Sequence, residues 1–213
     1  LCGFQNEFFK TFEAPWKKLV EQPLAGEDVQ SQALFTLGFC CYVCRDVEQS
    51  EVWEYVEDML CNGPDDPNEL PFIQAARTWV LLASVMDDDH VLERSQEVVY
   101  EALSRILSEA DDIEGRVTAG EALAFLYEVA DRVHGADAED AAALSPSVCL
   151  QPAMADNTLK LLQAAAKESS KKVSKRDKKE LRAAFRAVEA FIFEAELPES
   201  TVQLQGATIE VAS

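Results

Sequence analysis

The chain has 213 residues, 48% of them hydrophobic, with 39 Asp and Glu against 19 Lys and Arg and a formal net charge of −20. That apolar fraction excludes a disordered composition, and no apolar run approaches the roughly 20 residues of a membrane-spanning helix, so no membrane partner is expected. The 8 Gly and 8 Pro leave room for long regular elements, and periodic stretches dominated by Ala, Leu, Glu and Val favour helix.

The opening stretch, "FQNEFFKTFEAPWKKLVEQ", spaces its aromatics helically, and Pro15 is expected to kink or divide it. Residues 28–45 place Val29, Ala33, Leu37, Cys40, Cys41 and Cys44 on one broad helical face. A shorter helix follows over 50–61 with Val52, Trp53, Val56, Met59 and Leu60. "NGPDDPNELP" then breaks the chain. The helix expected over 70–86 is apolar on most sides, as befits an element buried between neighbours. The acidic 87–89 suits the start of the next helix, where carboxylates meet the positive end of the dipole. That helix carries Val91, Val98, Leu103, Ile106 and Leu107. After "ADDIEG" another spans 113–133 with Ala119, Leu123, Leu126, Tyr127 and Ala130.

The long helices begin near 28, 70 and 113, a spacing of about 43 residues that falls in the 40–47 residue period of HEAT and armadillo arrays. A hairpin that cannot close its own core buries itself by stacking on its neighbours. The fold class expected is therefore all-α, a HEAT/armadillo-like α-solenoid of stacked helical hairpins, with the array over 1–134. Residues 135–152, rich in Ala and Asp, read as a flexible insertion. Closing helices with a basic junction occupy 153–197. The last of them, about 175–196, opens on an S-x-x-D capping box of Ser174 and Asp177. Residues 198–213 read as one short strand or an extended tail.

Three of the six cysteines crowd into "FCCYVC", with Cys40 and Cys44 one helical turn apart. Structural zinc needs four ligands, whereas no second Cys pair exists and the only His are His90 and His134. The thiols read as small core residues in a reducing compartment, and no metal or cofactor is expected. No P-loop, G-x-G-x-x-G, H-E-x-x-H or G-x-S-x-G motif is present, and the acidic clusters lack the spacing of a calcium hand. No catalytic residue is assigned, and the chain does not read as an enzyme. The three Trp fit buried anchors.

Positive charge is segregated. Lys160 to Arg186 holds ten Lys and Arg against three acids, a window of +7 on a remainder of −27. On the last helix Lys175, Lys179, Arg182 and Arg186 form one stripe, and Leu181, Phe185, Val188 and Ile192 form another face that should anchor the helix. A cationic stripe on a rigid support suits a phosphate backbone, with binding that weakens steeply in salt. The candidate contacts are Lys171, Lys172, Lys175, Arg176, Lys178, Lys179, Arg182 and Arg186. Charge alone fits equally a solvated helix face whose bases pair with the acidic body.

Three stretches carry a family resemblance: "SQALFTLGFCCYVCRDVE", "GRVTAGEALAFLYEVADR" and "SKRDKKELRAAFRAVEAF". The second holds an A-G-E-x-x-A-x-x-x-E pattern at Ala119, Gly120, Glu121, Ala124 and Glu128. The third is a basic junction followed by Phe185, Arg186, Val188 and Glu189. In order and spacing they resemble the interferon-related developmental regulator family over about 28–211. The start at Leu1, and the absence of the basic tail and Trp-containing motif usual in that family, read as a piece of a longer chain. The resemblance implies a non-catalytic helical-repeat protein. It implies docking on the eukaryotic ribosome, contacting rRNA and ribosomal proteins in a translationally silent state. The alternative it carries is transcriptional co-regulation through protein partners on the solenoid face. The location implied is cytoplasmic, with the nucleus as a second site.

Overall fold

Helical periodicity becomes helix nearly wherever it occurs. A computed structural model describes residues 2–44, 49–63, 66–95, 98–135, 152–167, 175–194, 200–204 and 207–211. In chain order these form α1 (Cys2–Val20), a 3-10 turn (Pro23–Ala25), α2 (Glu27–Val43), α3 (Gln49–Cys61), α4 (Leu70–Ala83), α5 (Asp88–Ser95), α6 (Val98–Glu109), α7 (Ile113–Gly135), α8 (Pro152–Lys167) and α9 (Lys175–Glu194). Strands β1 (Ser200–Leu204) and β2 (Ala207–Val211) follow. The chain divides into two compact units, Leu1–Leu126 and Tyr127–Ser213.

In the first unit α2 lies against α1 and α4, α3 against α2, α4 and α6, and α5 against α6. The α2–α4 approach is close because Gly38 sits over the Thr78 methyl; a Cβ there would collide with Thr78 Cγ2. Gly26 adopts φ 79°, which lets the chain turn sharply into α2. Trp53 on α3 and Trp79 on α4 are wholly buried, as are Leu34, Leu37, Leu60, Leu82, Leu103 and Ile106. Burying each large apolar side chain contributes about 1.5–3 kcal/mol.

Polar contacts join segments separated by the expected period. The Leu70 N–H at the start of α4 donates to Glu27 Oε2 at 3.2 Å, and the Asp111 N–H donates to Asn68 Oδ1 at 2.6 Å, each across 43 residues. Arg77 on α4 reaches Glu114 and Thr118 on α7. The least exposed acid of the described core, Glu57, gathers three elements: its carboxylate accepts from Trp79 Nε1 (3.3 Å), Arg94 Nε (2.8 Å) and Ser95 Oγ (2.8 Å). Asp87 caps α5 by accepting the His90 N–H at 3.1 Å, the role expected of the acidic 87–89 run.

Three features differ from the sequence reading. Pro15 does not divide α1; the helix continues to Val20, held by the burial of Phe9 and Val20. The helix expected after residue 87 is described as α5 and α6, and residues 96 and 97 between them lie outside the described residues. Arg94 and Ser95 fasten α5 to Glu57. Of the three Trp, Trp16 is only half-buried, packed against Phe12 at 5.7 Å between ring centres. Finally, β1 and β2 pair antiparallel from Ser200↔Val211 to Leu204↔Ala207, a hairpin rather than a single strand or tail. The expected insertion, apart from its ends, and Ser174 of the capping box lie outside the described residues.

Among the described cysteines, Cys41 and Cys44 are buried and Cys40 and Cys61 half-buried, all as free thiols. Burial, reinforced by Glu13, pushes Cys41 up to about 12; burial with Glu57 and Asp58 does the same to Cys61. These thiols stay protonated at neutral pH, which suits core packing and disfavours ligation or nucleophilic attack.

Candidate nucleic-acid interface

The second unit builds its basic face on α8 and α9, which pack together. On α9, Phe185, Val188 and Ile192 are buried, so the apolar face read from the sequence does anchor the helix. The Leu181 side chain lies outside the described residues. On α8, Leu162 and Ala165 are buried, and Thr158, fully buried, accepts from Tyr127 Oη of α7 at 3.1 Å.

With that face fixed, helical geometry decides where the cations stand. Lys179, Arg182 and Arg186 are exposed, one or two turns apart along α9. Lys175, Arg176 and Lys178 lie on the same helix, with side chains outside the described residues; Lys171 and Lys172 lie wholly outside them. The described part of the stripe is therefore assembled as the periodicity requires, and five of the eight candidate side chains are not placed.

α8 adds what the sequence reading of α9 did not supply. Gln163, Ala166 and Lys167 of α8 and Arg182, Arg186 and Glu189 of α9 line an open pocket of about 460 Å³. Both triplets have i, i+3/i+4 spacing, so each set shares a helix face. Two hydrogen bonds tie the walls: Gln163 Nε2 donates to Glu189 Oε1 at 3.1 Å, and Arg182 Nε donates to the Ala166 carbonyl at 3.3 Å. The second bond fixes the Arg182 guanidinium near the C-terminal turn of α8 while leaving its other donors available. Neither Arg182 nor Arg186 forms an ion pair with a described acid, in contrast to Arg77, Arg94 and Arg132. Lys167 carries basic charge the sequence counted within the +7 window but did not place in the site; Gln163 and Glu189 had no charge-run signal to mark them.

Comparison with known proteins bears on the same segments. The family model described as Interferon-related developmental regulator matches residues 3–193. The chain belongs to this family. Among curated relatives, Interferon-related developmental regulator 1 of Rattus norvegicus is 26% identical over 93% of this chain and 43% of its own length. The Mus musculus protein is 26% identical over 94% of this chain and 44% of its own length. The Homo sapiens protein is 25% identical over 93% and 43%. The chain thus spans less than half the length of the relatives it matches. The family match runs from the second residue of α1 to all but the last residue of α9, so the described basic face falls inside it.

Proposed function

We propose that this family member is a non-catalytic ribosome-binding factor that docks on the eukaryotic ribosome and keeps it translationally inactive by occupying tRNA and mRNA space. The observation that carries the reading is the segregated charge: a +7 window on a −27 remainder, with Lys179, Arg182 and Arg186 exposed on an anchored helix. Ribosomal RNA is the abundant polyanion that such a face suits, and acidic surface elsewhere disfavours other docking poses. Lys171, Lys172, Lys175, Arg176, Lys178, Lys179, Arg182 and Arg186 are the proposed phosphate contacts, in the cytoplasm with the nucleus as a second location. The 43-residue recurrence of helix starts and of the Glu27 and Asn68 contacts supports reading the first unit as HEAT/armadillo-like stacking, a rigid body suited to steric exclusion.

Co-sedimentation with purified eukaryotic ribosomes tests this. The wild-type chain pellets with the particles and is released by RNase, and reversal of Lys175, Lys179, Arg182 and Arg186 to Glu abolishes pelleting. Unchanged pelleting of the reversed variant in moderate salt would remove these residues from the interface.

A second reading, a protein-interaction scaffold in transcriptional co-regulation, is favoured by a different observation. Phe8 and Phe12 on α1 and Phe35, Phe39 and Val43 on α2 are 40–48% exposed, more apolar surface than a rigid spacer needs. Complexes that survive RNase would support it.

A further inference from the structure

We propose that the pocket between α8 and α9 seats one unstacked nucleotide of single-stranded RNA, its phosphate on Lys167, Arg182 and Arg186 and its base edge on Glu189. This inference rests on the nucleic-acid reading of α9 and narrows it from backbone attraction to recognition of a base.

A ridge of cations is all that phosphate binding requires. The face instead contains a concavity of about 460 Å³, within the roughly 300–1,000 Å³ typical of small-ligand pockets. Its lining is of mixed sign, with Lys167, Arg182 and Arg186 beside Glu189. Glu189 repels phosphate, so a ligand satisfying the whole pocket must present an anionic group to the bases and an N–H donor to the carboxylate. A nucleotide does both.

Gln163 holds the carboxylate in place through Glu189 Oε1, and an ionised carboxylate keeps further lone pairs for a second donor. Adenine and cytosine offer an exocyclic amino group; uracil offers one N–H flanked by two carbonyls that face the carboxylate unfavourably. Among the described residues no aromatic lines the pocket, so stacking on a base would come from the planar guanidinium of Arg182 or Arg186, a partner common in single-strand recognition. Arg182 is already oriented by its bond to the Ala166 carbonyl.

Fluorescence anisotropy on the full chain, at one fixed salt concentration, compares 12-nucleotide probes of rC, rA, rU and an abasic ribose-phosphate strand. The wild-type chain binds rC and rA about five- to tenfold more tightly than rU or the abasic strand, the discrimination of one good base-edge contact. Glu189→Ala removes that preference without weakening abasic binding. Lys167→Ala weakens all four probes alike. Equal binding of all four by the wild type, or a preference that survives Glu189→Ala, overturns the pocket assignment while leaving the cationic interface standing. Failure of the wild type to bind any probe overturns both.

Discussion

The three donors converging on Glu57 allow a worked prediction. Glu57 is 6% exposed, and two of its donors, Trp79 and Ser95, are 0% exposed. Glu57→Leu keeps an apolar side chain of similar reach but strands the indole N–H and the serine hydroxyl. Each buried donor without an acceptor costs about 1–3 kcal/mol. Arg94 is 38% exposed at its side chain, so water replaces most of its lost partner, and that share stays below about 1 kcal/mol. The expected loss is about 4 kcal/mol, a large part of the roughly 5–15 kcal/mol that holds a domain together. Urea unfolding followed by Trp fluorescence measures it. Adding Ser95→Ala to Glu57→Leu removes one stranded donor and should return about 1–2 kcal/mol, which separates the polar cost from any change in packing. A loss below about 1 kcal/mol, or no recovery in the double variant, would refute the reasoning.

Gly38→Ala adds a methyl against Thr78 Cγ2; overpacking of about 1–3 kcal/mol exceeds the gain of about 1 kcal/mol in helix propensity, so thermal stability falls, and Thr78→Ser, which removes that methyl, restores it. Replacing Lys179, Arg182 and Arg186 with Ala removes three phosphate contacts and lowers the slope of log affinity against log salt for single-stranded RNA by about 2, read from binding at several salt concentrations. Stability is lost at alkaline pH because Cys41 and Cys61 titrate at about 12 in the folded chain against an ordinary 9.0. The folded state holds those protons more tightly, so their contribution is complete below pH 9.0 and declines as pH rises towards 12. Cys41→Ala flattens that decline in urea midpoints taken across the window. Asp87→Ala removes the cap on the His90 N–H and costs about 1 kcal/mol, checked by chemical denaturation.

Much of the helical pattern was legible because burial follows the 3.6-residue period. The starts of α2, α4 and α7 fall at residues 27, 70 and 113, within a residue of the positions read from the periodicity. What failed was local grammar overridden by tertiary contact. Pro15 reads as a kink or a division, and of the two the division does not occur: α1 is held as one helix by Phe9 and Val20. Periodicity likewise cannot register that Ser95 is turned onto a carboxylate of α3. The candidate site was half legible for the same reason. A charge stripe is a property of one helix, and Phe185, Val188 and Ile192 fixed its orientation. The pocket is a property of two helices, and the Gln163–Glu189 contact crosses 26 residues that carry no shared motif.

The contacts of Glu27 and Asn68 also impose an order in time. No local side chain caps α4: its cap residue, Glu69, makes no such hydrogen bond, and the Leu70 N–H is satisfied by Glu27 from the preceding helix pair. The Asp111 N–H just before α7 depends likewise on Asn68, which stands just before α4. Each later segment finds its acceptor only once the earlier one is in place. A chain emerging amino-terminus first presents the acceptors in that sequence, so synthesis and folding run in the same direction. A circular permutant that releases α4 before α2 would leave the Leu70 N–H to water and the apolar sides of α4 open to solvent until α2 arrived.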